Sequence, residues 1–330
     1  MKKLHTKSPC CRGEINRFGN RRRQCKECKK TWRIRKKKRG RKKKREQETL
    51  LIKYLQHEIP SLHAIARKKG ISADKLEARL LRSRDHFLKH SPWPEIPKEE
   101  KLILIADGMV KYANKTWHTF YFILVRTTES SEAIITKPFV KKGVESQLGW
   151  REALGSLPGN VRKNVVALVC DGHRGLVNYS KHQKWILQRC NFHLIAFLQG
   201  RRSRWAKSRH RKEGQLVYDI ANHVLTTKKE NEVMPLILKL EEIAWHTKSP
   251  ELRKALLGFV NNYKDFRSYL YYPELNLPRT SNTAESLIGC VRELCHRARG
   301  FRSMDSLKKW IFALLKNKKK IKCNGSFQPN

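Results

Sequence analysis

The sequence predicts a multidomain α+β protein. It has a small cysteine-rich module, a basic linker, a helical domain, and a mixed α/β core interrupted by an all-helical insertion. Three observations carry this. Charge and cysteine are concentrated in the first 45 residues, hydrophobic periodicity switches between helix and strand period along the chain, and a proline-rich joint separates the two textures. The chain has 330 residues, enough for about two domains and a small module. It holds 73 Lys/Arg against 29 Asp/Glu, a formal charge of +44. With 39% apolar and 31% charged residues a core remains possible and wholesale disorder is excluded. Apolar runs such as Phe120–Val125 fall far short of the ~20 residues of a spanning helix. No apolar stretch follows Met1-Lys2-Lys3, so no signal peptide is expected. So large a positive charge repels itself unless the partner is a polyanion; nucleic acid fits best, an anionic membrane surface less well.

The elements follow in order. Residues 1–34 form the cysteine-rich module. Of nine cysteines, Cys25 and Cys28 have the Cys-x-x-Cys spacing that sets two thiolates on one tetrahedral zinc. Cys11 is expected as a third ligand. Position 8, where a second such pair would start, is Ser8. Adjacent cysteines rarely share an ion, so the fourth ligand is left as Cys10, His5 or none. An odd cysteine count without a secretion signal argues against a disulfide framework. Between Arg21 and Arg45 stand 17 Lys/Arg and one acid, Glu27. Residues 35–45 lack any apolar side chain and are expected to be a flexible linker lying along phosphates.

Residues 46–90 turn helical. Leu50, Leu51, Tyr54 and Leu55 form one stripe; Leu62, Ile65 and Ala66 precede Gly70-Ile71-Ser72, and Leu76, Leu80 and Leu81 follow. A small residue, a helix-ending Gly and a capping Ser in that order suit a helix–turn–helix; a plain three-helix bundle has the same core spacing. After the joint Ser91–Pro97 the texture becomes β. Leu102–Ala106, Thr116–Val125 and Ala133–Val140 read as three sequential antiparallel strands, then a helix over 144–156, and Val165–Cys170 as a central strand buried on both faces. A further strand near Trp185–Cys190 and a helix from Asn191 complete the first part of the core, residues 98–198. Residues 199–277 are all helical, with a basic patch at Arg201–Lys212. Residues 278–330 return to the core: a long helix from about Thr283, a helix over Asp305–Leu315 and a Lys-rich tail.

Two acids stand out. Asp107 ends one apolar run, Asp171 ends another, and both precede Gly. An ionised Asp beside a buried strand is costly unless paired or holding a cation. If the strands are parallel neighbours, both carboxylates emerge at one sheet edge; otherwise each Asp-Gly is a turn. Glu285 is a third candidate. It fits either a capping box, with Asn282 as N-cap, or a ligand role beside the two Asp. Three carboxylates from two strands and a helix can hold two Mg²⁺ that clamp the attacking and leaving oxygens of a phosphodiester. Cys190-x-x-His193 supplies two zinc-type ligands without an obvious second pair, which favours a DNA-positioning or structural role.

Asp107-Gly108, Cys170-Asp171-Gly172-His173, Cys190-Asn191-Phe192-His193, Asn282–Ser286 and Arg299-Gly300-Phe301-Arg302-Ser303 together resemble the Mutator-like DDE transposases of prokaryotic insertion sequences. The resemblance implies an RNase H-like core, with Asp107, Asp171 and Glu285 as catalytic triad on two Mg²⁺ (or Mn²⁺). It implies that Cys190, His193, Arg299 and Arg302 lie close to the site or DNA. The expected activity is hydrolysis at the ends of the mobile element followed by strand transfer. The expected partners are double-stranded DNA, as terminal inverted repeats and target, and further copies of the chain; the expected setting is the cytoplasm, with the nucleoid. A non-cleaving regulator and a structure-specific nuclease are the rival readings.

Overall fold

The computed structural model describes residues 8, 10–18, 22–33, 49–58, 61–98, 100–201, 211–298, 301 and 303–323. The linker 35–45, most of the basic patch 201–212, and His5, Arg299 and Arg302 lie outside them. The chain divides into two compact units, 1–50 and 51–330.

The first unit is a three-stranded antiparallel sheet, with β1 (Ile15–Arg17), β2 (Arg22–Cys25) and β3 (Thr31–Arg33) in that order. Two tight turns flank it, one through Arg12 at φ 59° and one through Lys29 at φ 58°. Their backbone bonds run from Arg12 N to Ser8 O and from Lys29 N to Cys25 O, 3.1 Å each.

The second unit opens with three helices: α1 (49–55), α2 (Leu62–Lys68) and α3 (Ala73–His90). Gly70 takes the left-handed φ of 62° that ends α2, and Ser72 caps α3 by accepting from Lys75 N. Leu51, Leu55, Ala66, Leu76 and Leu80 are buried, as their spacing predicts.

The main sheet has strand order β10-β6-β5-β4-β8-β9, with β7 also on β5. β4 (Leu102–Ala113) and β5 (Thr116–Thr127) form a long antiparallel hairpin. The single expected strand 133–140 is two, β6 (Glu132–Ile135) and β7 (Phe139–Lys142). Pro138 between them has no N–H to give a ladder, so pairing with β5 restarts after it. α4 (Gln147–Gly155) and α5 (Gly159–Lys163) lead to β8 (Val165–Cys170), parallel to β4. α6 (Arg174–His182) crosses over to β9 (Ile186–Arg189), parallel to β8, and α7 (Asn191–Arg201) follows. One sheet face, with Leu102, Leu104, Tyr121 and Leu168, packs on Trp150 of α4 and Leu176 of α6.

The insertion stacks α8 (Arg211–Thr226), α9 (Glu230–His246) and α10 (Pro250–Val260) on α7 around Val217, Ala221, Leu240 and Phe259. Two one-turn helices, α11 (Tyr263–Phe266) and α12 (Ser268–Tyr271), tie it to the sheet. Buried Gln188 of β9 donates to Phe266 O at 3.0 Å and accepts from Tyr269 N at 2.9 Å. The chain returns through α13 (Asn282–Arg297), α14 (Met304–Lys318) and the edge strand β10 (Lys320–Lys322), which pairs with β6 inside what the sequence reads as a Lys-rich tail. Trp310 of α14 meets Tyr54 of α1, ring centroids 5.1 Å apart, and carries Arg84 of α3 over its face. No helix among the described residues is long and apolar enough to cross a membrane.

Candidate active site

β4 and β8 run parallel in register up to Ala106 opposite Cys170. The next residue on each is an acid, so Asp107 and Asp171 leave adjacent strands side by side. Asp107 does not end its strand: β4 continues to Ala113, and Gly108 N donates to Asp107 Oδ1 at 2.7 Å. The turn reading of Asp107-Gly108 therefore fails. Asp171 follows the last residue of β8, and its Oδ1 accepts from His173 N at 2.9 Å. Gly172 between them sits at φ 98°, and a Cβ there would meet the Arg189 guanidinium at 2.5 Å. The positive φ is what favours glycine there, since the Arg189 side chain can shift.

The third acid comes from α13. Its N-cap is Ser281, not Asn282, and no side chain caps it. Glu285 thus stands one position deeper than a capping box needs, and Ser281 N donates to Cys190 Sγ at 3.2 Å instead of to Glu285. The Glu285 carboxylate faces inward: Oε1 accepts from Ser281 Oγ at 3.2 Å and lies 3.5 Å from His193 Nδ1. Cys190 N donates to Cys170 O at 2.7 Å, which holds the Cys-x-x-His segment against the end of β8.

The electrostatics follow from crowding. Burial raises the Asp107 carboxyl to about 7, and the negative charges of Asp171 and Glu285 add to this. His193 is raised to about 9, first by its hydrogen bond to Cys190 and further by the negative charges of Glu285 and Asp171. A divalent cation bound beside Asp107 would favour the ionised carboxyl, whose oxygens are hard donors. Among the described residues, Cys190, His193 and Glu285 have ligand atoms within 4.8 Å of one another; the three carboxylates do not form such a group. Cys190, His193 and Glu285 make a three-ligand set, one short of a closed zinc site.

In the first unit Cys10, Cys11, Cys25 and Cys28 converge, all four sulfurs within 4.8 Å. Cys10 Sγ is 3.2 Å from Cys28 Sγ, Cys11 Sγ is 3.2 Å from Cys25 Sγ, and the two adjacent sulfurs are 3.9 Å apart. Tetrahedral zinc with Zn–S of ~2.3 Å spaces its sulfurs by ~3.8 Å, so the set fits the ion. Cys10, one of the alternatives for the fourth ligand, lies with the other three sulfurs although it neighbours Cys11 in sequence. The Cys25 thiol is lowered to about 6, with the Ser8 hydrogen bond as the largest cause. Ser8 thus supports the cluster from the position where the knuckle pattern calls for a cysteine.

The family model described as "Transposase, Mutator family" matches residues 127–322, more than half of the chain. The span holds Asp171, Cys190, His193 and Glu285 and begins after Asp107. No curated protein matches the chain.

Proposed function

The chain belongs to the Mutator family of transposases, and from that premise we propose that Asp107, Asp171 and Glu285 are the catalytic carboxylates of a DDE transposase with an RNase H-like core. The observation that carries this is the in-register pairing of Ala106 with Cys170, which puts the two Asp side by side. Asp107 and Asp171 would hold the divalent cations, with Glu285 as a further carboxylate ligand. Mg²⁺ or Mn²⁺ there would supply the Lewis acidity for phosphodiester attack, first by water at the element end and then by the freed 3′-hydroxyl on target DNA. His193, cationic at neutral pH, orients the Glu285 carboxylate from 3.5 Å. Arg299 and Arg302 follow α13 in sequence and are proposed to contact DNA phosphates.

The helices α1 to α3, read as a helix–turn–helix, and the Cys10, Cys11, Cys25 and Cys28 module with its zinc recognise the terminal inverted repeats. Bringing two ends together requires a homodimer or a larger assembly. The test is metal-dependent cleavage and joining of oligonucleotides bearing the element ends. Asp107→Asn, Asp171→Asn and Glu285→Gln should each lower both steps at least ~10³-fold while end binding persists, because each removes an oxygen donor from the metal site. Cleavage without joining by the wild type would make the protein a nuclease, and end binding without cleavage a regulator. Near-normal cleavage by Glu285→Gln would remove that residue from the triad.

A further inference from the structure

Past the carboxylates, β4 and α13 continue side by side. Four residues beyond Asp107 stands Lys111, ~13 Å along the strand. Ten residues beyond Glu285 stands Cys295, ~15 Å along the helix. Lys111 acts electrostatically on the Cys295 thiol, so strand and helix are still neighbours there and run the same way. Arg292 and His296 lie seven and eleven residues after Glu285, on the same helix stripe. The two elements border an open groove of about 1100 Å³ whose lining includes Lys111, Tyr112, Arg292, His296 and Arg297, with Phe301 and Leu307 adding apolar surface. Its acid, Glu293, lies 3.5 Å from His57 Nδ1.

The far wall is the tip of the β4–β5 hairpin. Its two-residue turn, Asn114-Lys115, has both φ values positive, 51° and 59°, which closes the hairpin tightly. One pair further from the turn than Ala113 and Thr116, Tyr112 pairs with Trp117 across the strands, ring centroids 5.0 Å apart. The two rings are 56% and 50% exposed. A rigid, exposed aromatic pair at the mouth of a cationic groove does not suit an apolar protein partner, which would leave the cations desolvated. It suits a nucleotide, whose base stacks on aromatic faces while its phosphates take the cations. The ~13–15 Å from the carboxylates equals about four steps of 3.4 Å along a DNA strand.

We propose that the groove between the β4–β5 hairpin and α13 binds an unstacked nucleotide of the strand passing the carboxylates, with Tyr112, backed by Trp117, under the base and Lys111 and Arg292 on its phosphates. This rests on reading Asp107, Asp171 and Glu285 as the phosphodiester site, but its test needs no turnover. The full chain is titrated, without added Mg²⁺, with a fluorescein-labelled duplex of ~20 base pairs, either blunt or bearing a short oligothymidine tail. The wild type should prefer the tailed duplex. Tyr112→Ala should lose ~5- to 100-fold on the tailed duplex and little on the blunt one, while Tyr112→Phe keeps the preference. Arg292→Gln, on an exposed helix face, should also lose affinity for the tailed duplex and serves if Tyr112→Ala fails to fold. A wild type that binds both duplexes equally, or a Tyr112→Ala that loses equally on both, overturns the site alone. A wild type that binds neither overturns the transposase reading itself.

Discussion

Gly149 of α4 shows how little room the core beneath the carboxylates leaves. A Cβ there would overlap the Tyr121 hydroxyl, and Tyr121 is fixed edge-on against Trp150 with ring centroids 4.8 Å apart. Gly149→Ala should therefore destabilise by about 1–3 kcal/mol through overpacking, read as a lowered Tm, although alanine is the better helix former. Arg267 is the opposite case, a 1%-exposed cation fully engaged. It donates to Thr227 O at 3.1 Å, to Glu230 Oε2 at 2.8 Å, and to Val224 O. Arg267→Leu should cost roughly 3 kcal/mol in denaturant unfolding, because it strands buried carbonyls and an acid. In the four-cysteine module, if it binds zinc as proposed, Cys10→Ser should lose the bound metal, measured by mass spectrometry, as fully as Cys25→Ser does. A three-thiolate site would be indifferent to Cys10. Residues of the site are readable in the sequence where the signal is local: an acid closing an apolar run, a cysteine pair at knuckle spacing. The choice of Cys10 among the alternatives for the fourth ligand is not, because it depends on the fold bringing the four sulfurs together. Nor is the approach of His193 to Glu285, which joins residues 92 positions apart through the fold.

At the scale of elements, periodicity is a good guide wherever an element buries its own stripe. β8 and the apolar faces of α1 and α3 follow it closely. It fails where pairing decides. α6 is required because parallel β8 and β9 need a crossover, and β10 exists because β6 offers an edge, although its own sequence is two lysines around Ile321. The β4–β5 hairpin also runs further than its apolar stretch indicates, since its outer half carries exposed Tyr112 and Trp117. Its turn invites a test. Lys115 holds a left-handed φ of 59° that costs a non-glycine residue ~1 kcal/mol. Lys115→Gly should raise stability by about 0.5–1 kcal/mol in thermal or denaturant melts. A loss of stability would mean that the Lys115 side chain contributes more than its backbone strain.

For the whole molecule the governing quantity is a charge of +44 on 330 residues, with 17 Lys/Arg and one acid between residues 21 and 45. Such a chain is compact at low salt only at a cost in self-repulsion, which a polyanion removes by replacing condensed counterions with protein cations. If ~6–10 phosphates are neutralised, DNA affinity should fall by ~10³–10⁵ between 50 and 200 mM salt. The decisive comparison replaces the ten Lys/Arg of residues 35–45 with Gln. Every phosphate that the Gln variant no longer neutralises should flatten the slope of log affinity against log salt by ~0.9, equally on any DNA sequence. Preference for the element ends, carried by groups that read base edges, should survive the change. An unaltered slope would mean that the run touches no phosphate. A slope that flattens together with the loss of end preference would give the run a part in reading sequence, and would shift recognition away from the helices α1 to α3.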